Sequence, residues 1–358
     1  MRVLVTGGAG FVGSHVVDGL VGAGHQVRVM DVLHPAVHAV TPEYLNPRAE
    51  LIRADATDQD AVTACVGDVD AVSHQAAMVG LGAGFDDVVE FVRHNDLGTA
   101  ILLRALARSG FRGRLVVASS MVVYGEGRYR CPVDGPVTPG PRGVERLAAG
   151  LFDPPCPRCG RDLLPEPVAE GSPIDPRTVY AATKVHQEHL AWAFGRELGL
   201  PVTALRYHNV YGPRMPRDTP YAGVAAIFRS ALEGGRPPQV FEDGRQLRDF
   251  VHVRDVARAN LLAMEAEPAP AGAFNVASGE PHTVGEMAAA LSRAFGPDAP
   301  RPDVTGRHRP GDVRHVFAST VRAEEVLAFR AQVGFEPGMA EFATAPLRAP
   351  AGIAIPAG

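Results

Sequence analysis

The feature that most constrains the fold is a glycine-rich segment near the start of the chain. A strand-like run from Arg2 to Thr6 leads directly into the sequence GGAGFVG, which opens a helix-like stretch. Glycines at positions 7, 10 and 13 permit a tight turn and a close backbone approach, while the helix N-terminus presents unpaired N–H groups to an anion. The segment therefore predicts a dinucleotide pyrophosphate site after the first strand of a parallel sheet.

The N-terminal half alternates between strand-like and helix-like runs, the pattern of βαβ units. We predict strands at 2–6, 26–30, 50–54, 69–74, 113–118 and 202–207, and helices at 11–23, 58–66, 86–109 and 177–199. The expected fold class is α/β: a doubly wound parallel-sheet Rossmann domain over residues 1–207.

Beyond Gly212 the alternation weakens into helix-like pieces near 221–233, 254–266 and 283–294, joined by Pro- and Gly-rich connections. This pattern indicates a smaller C-terminal substrate-binding lobe over 208–345, with some segments returning to the Rossmann domain. Residues 346–358 are expected to form a loose tail.

Charge and hydropathy exclude several classes of partner. The formal net charge is -5, and the sequence pI is about 6.2, so no clustered basic excess favours nucleic acid or an anionic membrane. No basic leader or long apolar run indicates secretion or membrane insertion, so a cytoplasmic location is expected.

Residues 125–175 interrupt the alternation and include ten of the 31 prolines. Structureless segments of this length are uncommon inside compact domains, so an organising element is expected. Two similar turns, Cys131-Pro-Val-Asp134-Gly and Cys156-Pro-Arg-Cys159-Gly, resemble zinc knuckles. They predict a structural zinc site with Cys131, Asp134, Cys156 and Cys159 as ligands; the alternative is a reduced, metal-free loop.

Two further features point to the cofactor and to catalysis. Asp31 ends the second predicted strand. A carboxylate there can accept hydrogen bonds from the ribose hydroxyls of NAD and would repel the 2′-phosphate of NADP. The alternative is an exposed acidic residue in a loop. Tyr180 and Lys184 lie four residues apart, on one face of a helix. Lys184 is the only lysine of the chain, and an ammonium beside a phenol can stabilise the phenolate. A solvated helical pair is the alternative for these two residues.

Together these segments resemble the NAD-dependent epimerase/dehydratase family of extended short-chain dehydrogenases/reductases. The resemblance implies that Ser120 completes the catalytic set with Tyr180 and Lys184, or Ser119 if the alignment is shifted by one residue. It implies the following cofactor contacts: Gly7, Gly10, Phe11, Val12, Gly13, Asp31, Asp55, Ala56, Gln75, Ala76, Ala77, Asn95, Tyr180, Lys184, Tyr207 and Val210. It implies the following substrate contacts: Ser120, Tyr180, Asn209, Val240, Arg248, Arg309 and Asp312. His208 stands where the family more often has an aromatic residue, and a packed histidine is favoured over a second base.

The residues after Ser120 discriminate between reactions within this family. The 4,6-dehydratases carry Asp-Glu at this position, and the related decarboxylases carry Glu at the second; here the pair is Met121-Val122, which cannot ionise. The resemblance therefore favours nucleotide-sugar 4-epimerases that use tightly bound NAD. A nucleotide-sugar 4-ketoreductase or dehydrogenase is the alternative, followed by a non-catalytic NAD-sensing protein.

The cysteine-bearing insertion is similar to that of a subgroup resembling dTDP-L-rhamnose 4-epimerases. It implies a dTDP-6-deoxyhexose as substrate, with a UDP-hexose or UDP-hexuronate as the alternative. The family resemblance also implies a homodimer.

Overall fold

The computed structural model describes residues 1–35, 37–38, 40–79, 85–217, 223–309 and 311–348. The strands are β1 (Arg2–Thr6), β2 (Gln26–Asp31), β3 (Glu50–Arg53), β4 (Ala71–His74), β5 (Arg114–Ser120), β6 (Arg128–Cys131), β7 (Gly135–Val137), β8 (Leu164–Glu166), β9 (Val202–Tyr207), β10 (Asn209–Tyr211), β11 (Gln239–Val240), β12 (Leu247–His252), β13 (Gly272–Val276), β14 (Pro281–Thr283) and β15 (Asp303–Val304). The helices are α1 (Phe11–Gly22), α2 (Gln59–Cys65), α3 (Val88–Phe91), α4 (Gly98–Ser109), α5 (Val144–Ala148), α6 (Val179–Leu198), α7 (Val224–Glu233), α8 (Val253–Glu265), α9 (Val284–Phe295), α10 (Val321–Leu327) and α11 (Phe335–Thr344).

The main sheet has seven strands within the described residues, in the order β13-β9-β5-β4-β1-β2-β3. Every neighbouring pair in it is parallel. The strand order reverses between β1 and β4, and ligands of doubly wound sheets bind in the crevice at such a point. The predicted Rossmann fold is confirmed.

Helices cover both faces of this sheet, which explains the apolar strands. Val3 and Val5 of β1 pack with α1 and α8, while Leu4 packs with α2, α4 and α6 on the opposite face. Strands buried on both faces read as continuous apolar runs rather than alternating ones. α8 and β13 both come after residue 207 in the chain, yet α8 packs on the main sheet and β13 is one of its edge strands.

The prediction of one uninterrupted helix over 86–109 is wrong. A 3-10 turn (Phe85–Asp87) is followed by α3, a π-helical segment (Val92–Leu97) and then α4. The buried side chain of Asn95 lies in the π segment and hydrogen-bonds the backbone of Met78, outside the helix. A π turn of this kind is often found at a functional site.

The smaller lobe is built from two short sheets and three helices. β10, β12 and β14 form one sheet, and β11 pairs with β15. Helices α7, α9 and α11 enclose a separate apolar core with these strands. The helix predicted at 221–233 begins at Val224; residues 218–222, and residues 349–358 of the predicted tail, lie outside the described residues.

The insertion folds into a small antiparallel sheet in the order β7-β6-β8. Its core consists of Tyr129, Cys131, Val137, Cys156 and Leu163. Two of these five side chains are cysteines, so the apolar part of this core is small. In the described part of the chain, no helix is long and apolar enough to cross a bilayer.

Candidate active site

The glycine loop forms a cradle in which side chains would collide with backbone. A Cβ at Gly13 would lie 2.1 Å from the carbonyl oxygen of Gly7. Gly7 has φ +67°, and a Cβ there would lie 2.7 Å from the backbone nitrogen of Ala76. Gly10 caps α1 without a side-chain hydrogen bond, so the first N–H groups of this helix have no side-chain cap. The geometry fits a pyrophosphate at the helix N-terminus.

Asp31 ends β2 beside this loop. Its carboxylate accepts hydrogen bonds from the N–H groups of Ala9 (3.0 Å) and Leu33 (2.9 Å). These bonds fix the carboxylate at the edge of the cradle and leave other lone pairs for a ribose. The position fits the adenosine end of NAD.

Four further residues predicted to contact the cofactor lie after β3 or at the start of α1. The carboxylate of Asp55 accepts hydrogen bonds from Thr57, and Ala56 lies against Gly98 of α4. Phe11 and Val12, in the first turn of α1, pack against the lobe core and the sheet core respectively.

Predicted cofactor residues at the end of β4 belong to a buried hydrogen-bond network. Gln75 accepts a hydrogen bond from the Tyr207 hydroxyl (3.1 Å), and Asn260 of α8 donates to the same hydroxyl (2.8 Å). Ala76 donates from its N–H group to Thr6, and the partly buried Ala77 follows it. Asn260 also accepts a bond from Gln75 and was missed by sequence reasoning, because nothing in its local pattern links α8 to this strand end.

Asn95 connects the segment that follows β4 to helix α6. Its side-chain oxygen accepts from the N–H of Met78 (2.7 Å), and its nitrogen donates to the Met78 carbonyl and to the Thr183 hydroxyl (both 3.0 Å). The side chain is fully buried. Asn95 therefore holds the segment after β4 against α6.

Ser120, Tyr180 and Lys184 come together at the carboxyl end of β5. The Ser120 side chain lowers the pKa of the Tyr180 phenol, and the ammonium of Lys184 lies 5.9 Å from the centroid of the Tyr180 ring. Lys184 also donates to the carbonyl of Ala118 (2.9 Å). Thr178 caps α6 through the N–H of Ala181, so the helix begins just before the phenol.

Burial shifts the pKa values of the two titratable catalytic groups. It raises the pKa of Tyr180 to about 12, although the hydrogen bond with Ser120 opposes the shift. It lowers the pKa of Lys184 to about 8, against the charges of Glu188 and Asp96. Each shift favours the neutral form of the group, so a base at position 180 needs added positive charge nearby.

With this geometry established, comparisons with known proteins decide the family. A model described as the NAD dependent epimerase/dehydratase family matches residues 3–143 and 159–277. The chain belongs to this family. The unmatched residues 144–158 lie within the insertion, and the expectation of an enzyme of this family is confirmed.

Individual relatives of the family cover 80–96% of the chain. A dTDP-L-rhamnose 4-epimerase from Burkholderia thailandensis is 35% identical over 96% of this chain and 94% of its own length. The crystal structure of a Thermus thermophilus UDP-glucose 4-epimerase in complex with NAD is 32% identical, covers 96% of this chain and 98% of its own, and has a TM-score of 0.75. A UDP-N-acetyl-alpha-D-glucosaminuronate decarboxylase from Bacillus cytotoxicus is 30% identical over 80% of this chain and 78% of its own length.

A buried ion pair lies next to the predicted catalytic residues. Glu188, two turns after Tyr180 on α6, binds Arg206 of β9 through two hydrogen bonds (2.9 and 2.7 Å) and also accepts one from Ser119. Both charged side chains are essentially unexposed. Ser119 thus hydrogen-bonds this ion pair, whereas Ser120 is the serine that acts on the Tyr180 phenol. Glu188 was missed, although its spacing of four from Lys184 places it on the same helical face.

The predicted substrate contacts that come after residue 207 differ in burial and in hydrogen bonding. The side-chain oxygen of Asn209 is buried without a hydrogen-bond partner among the described residues, and Val210 beside it packs on the sheet core. Val240 is fully buried, and its carbonyl accepts two hydrogen bonds from Thr305. The whole residue, backbone included, is therefore unexposed in this structure.

The two predicted phosphate-binding arginines are not equivalent. Arg309 is exposed and lies over the Phe241 ring (4.9 Å). Arg248 donates to the backbone carbonyls of Leu247, Val313 and Arg314. Arg248 thus fixes residues 313 and 314, and only the N–H groups of Arg248 that make none of these bonds are free for a phosphate. Asp312, just before this segment, is exposed.

His208 is buried between β9 and β10. Burial lowers its pKa to about 3, so the ring is neutral near pH 7. This state favours the packed histidine over a second base.

The four predicted metal ligands meet in the insertion. One ligand atom from each of Cys131, Asp134, Cys156 and Cys159 lies within 4.8 Å of all the others. The thiols of Cys131 and Cys159 are 3.5 Å apart, too far for a disulfide, and all four cysteines of the chain are free.

Proposed function

We propose that this chain is an NAD-dependent nucleotide-sugar 4-epimerase. The observation that carries the proposal is the site around Ser120, Tyr180 and Lys184. The two residues that follow Ser120, Met121 and Val122, have side chains that cannot ionise. Met121 packs in an apolar cluster with Val168 and Val316. Since elimination of water requires an acid and a base beside the sugar, this environment supports oxidation and reduction at one carbon instead.

Each catalytic side chain has a defined task in this reaction. Tyr180 removes the proton from the sugar 4-hydroxyl, Ser120 hydrogen-bonds the same oxygen, and Lys184 stabilises the phenolate. Bound NAD supplies the hydride acceptor and a positive ring that favours the phenolate. After the 4-keto sugar turns in the pocket, C4 regains a hydride on its other face and the oxygen regains a proton from Tyr180. No net oxidation results.

The proposal is tested by incubating purified protein with C4-epimeric UDP-, dTDP- and GDP-sugar pairs, without added nicotinamide. We expect interconversion of at least one pair by NMR, and NAD on denaturation of the protein. No turnover of any pair would contradict the proposal. Net consumption of added NAD(P)H would indicate the ketoreductase or dehydrogenase instead.

For the substrate, we propose a dTDP-6-deoxyhexose. The similarity to a dTDP-L-rhamnose 4-epimerase supports this choice, as does the apolar surrounding of Met121, which suits a methyl group better than a hydroxyl. We expect a higher kcat/KM for dTDP-L-rhamnose than for UDP-glucose or UDP-glucuronate; the reverse order would refute it.

For the insertion, we propose one structural zinc ion held by Cys131, Asp134, Cys156 and Cys159. Tetrahedral ligands at a Zn–S distance of about 2.3 Å lie roughly 3.8 Å apart, close to the spacing found here. Four protein ligands leave no open position, which suits a structural role. We expect about one zinc per chain by elemental analysis, falling on substitution of Cys156 by serine. Zinc far below one ion per chain in chelator-free preparations would refute the site.

We also propose that the chain is a homodimer. Three large apolar residues near α3 are exposed: Phe85 (82%), Val89 (68%) and Val92 (45%). Such a patch suits burial against a second copy. Light scattering should give the mass of a dimer, and Val89→Glu should weaken it; a monomeric wild-type protein would contradict the proposal.

A further inference from the structure

The insertion is joined to the substrate lobe by buried charged residues that neither catalysis nor the metal site uses. Arg142 of the insertion pairs with Glu242 of the lobe at 2.8 Å, and both side chains are less than 5% exposed. The same guanidinium donates to the carbonyls of Phe152 and Asp312. Arg142 therefore ties the insertion to two separate segments of the lobe.

Arg314 forms the second part of this connection. Its buried guanidinium binds Glu242 (2.9 Å) and both carboxylate oxygens of Asp243 (2.6 and 2.8 Å) in the lobe. It also binds Asp153 of the insertion (2.8 Å). The N–H of Arg314 donates to Glu126, at the start of the insertion.

The backbone around Arg314 lies between the insertion and β12. A Cβ at Gly127 would be 2.3 Å from the carbonyl of His315, so the two backbones are in direct contact. On the other side, Val316 pairs with Arg248 of β12. Arg248 also donates to the carbonyls of residues 313 and 314.

From these contacts we propose that the insertion is a positioning module for the nucleotide-sugar site, acting through Arg142 on the segment 312–316 and hence on Arg248 and Asp312. The inference rests on the proposed function, because it takes this end of the lobe to bind the nucleotide diphosphate. Buried ion pairs contribute little net stability compared with apolar packing, but loss of one partner leaves the other charge buried and unpaired, so we expect this pair to hold one geometry. The four proposed zinc ligands, Cys131, Asp134, Cys156 and Cys159, all lie in this insertion, so the proposed ion would stabilise the module independently of the lobe.

The test compares Arg142→Leu with Arg130→Leu in the metal-loaded enzyme. Arg130 lies in the same insertion, is exposed and pairs with Glu166 within the insertion. We expect Arg142→Leu to weaken binding of dTDP and UDP, measured by calorimetry, on the order of tenfold or more, and to raise KM by a similar factor. We expect kcat and NAD content to change much less, and Arg130→Leu to resemble the wild type. Arg142→Lys keeps the charge but loses the planar fork, so its affinity should be intermediate.

The outcomes separate this inference from the proposed function. If the wild type binds neither dTDP nor UDP, the proposed function fails. If the wild type binds them and Arg142→Leu binds equally well, the positioning role is refuted while the function stands. If Arg142→Leu and Arg142→Lys both lose NAD along with nucleotide affinity, Arg142 serves general folding, and the inference is likewise overturned.

Discussion

Replacement of Glu188 by glutamine should destabilise the fold strongly. The carboxylate of Glu188 is the partner of a guanidinium that is only 1% exposed, and it accepts two hydrogen bonds from Arg206 and one from Ser119. Removing one member of a buried ion pair costs about 3–5 kcal/mol, since the other charge stays buried. Arg206 keeps its bonds to Tyr124 and to the Glu170 carbonyl, so we expect a loss of about 3 kcal/mol. Urea unfolding at pH 7 with saturating NAD measures it.

An exposed pair supplies the matched control. Arg293 and Glu336 are 2.7 Å apart with side chains 62% and 64% exposed, and such pairs contribute about 0–1 kcal/mol. Glu336→Gln should therefore change the free energy of unfolding little. A loss below about 1 kcal/mol for Glu188→Gln, equal to that of the control, would refute the reasoning from burial. Since Glu188 raises the pKa of Lys184, the variant should also lower that pKa below about 8.

Three further substitutions test the cofactor loop and the catalytic assignments. Gly13→Ala should abolish NAD retention, measured as cofactor released on denaturation, because its Cβ would meet the Gly7 carbonyl; Gly19→Ala in the same helix, with no atom within 4 Å of its Cβ, should retain NAD. Tyr180→Phe should reduce kcat by roughly 10²–10⁴-fold with NAD content unchanged, and substantial residual turnover would show that another group is the base. His208→Phe should leave the pH profile of kcat between pH 5 and 8 unchanged, because the ring is already neutral above about pH 3. If the wild-type kcat changes with pH near pH 6 and this change is lost in His208→Phe, the ring takes part in proton transfer.

The parts of the fold that follow from sequence are those encoded by local periodicity. β1, α1 and β2 were predicted within a residue or two, because burial on both sheet faces requires apolar runs and the glycines mark the turn. β13 was not predicted, since its place depends on pairing with β9, about 70 residues earlier. The π segment before α4 was missed for a similar reason: the contact of Asn95 with Met78 is tertiary.

The basic residues of the candidate site show why the sequence pointed to Lys184 but not to the arginines around it. Arg206 and Arg314 each meet carboxylates through several N–H groups, an arrangement that only the planar guanidinium can make. Lys184 is buried instead, with its ammonium donating to the Ala118 carbonyl and lying 5.9 Å from the centroid of the Tyr180 ring, and burial lowers its pKa to about 8. Lys184 is the one lysine in a chain whose other permanently charged basic side chains are arginines, so this position stands out without a structure. The arginines that fix the site are hidden among the many others of the chain, and only the fold shows which of them are paired with buried carboxylates.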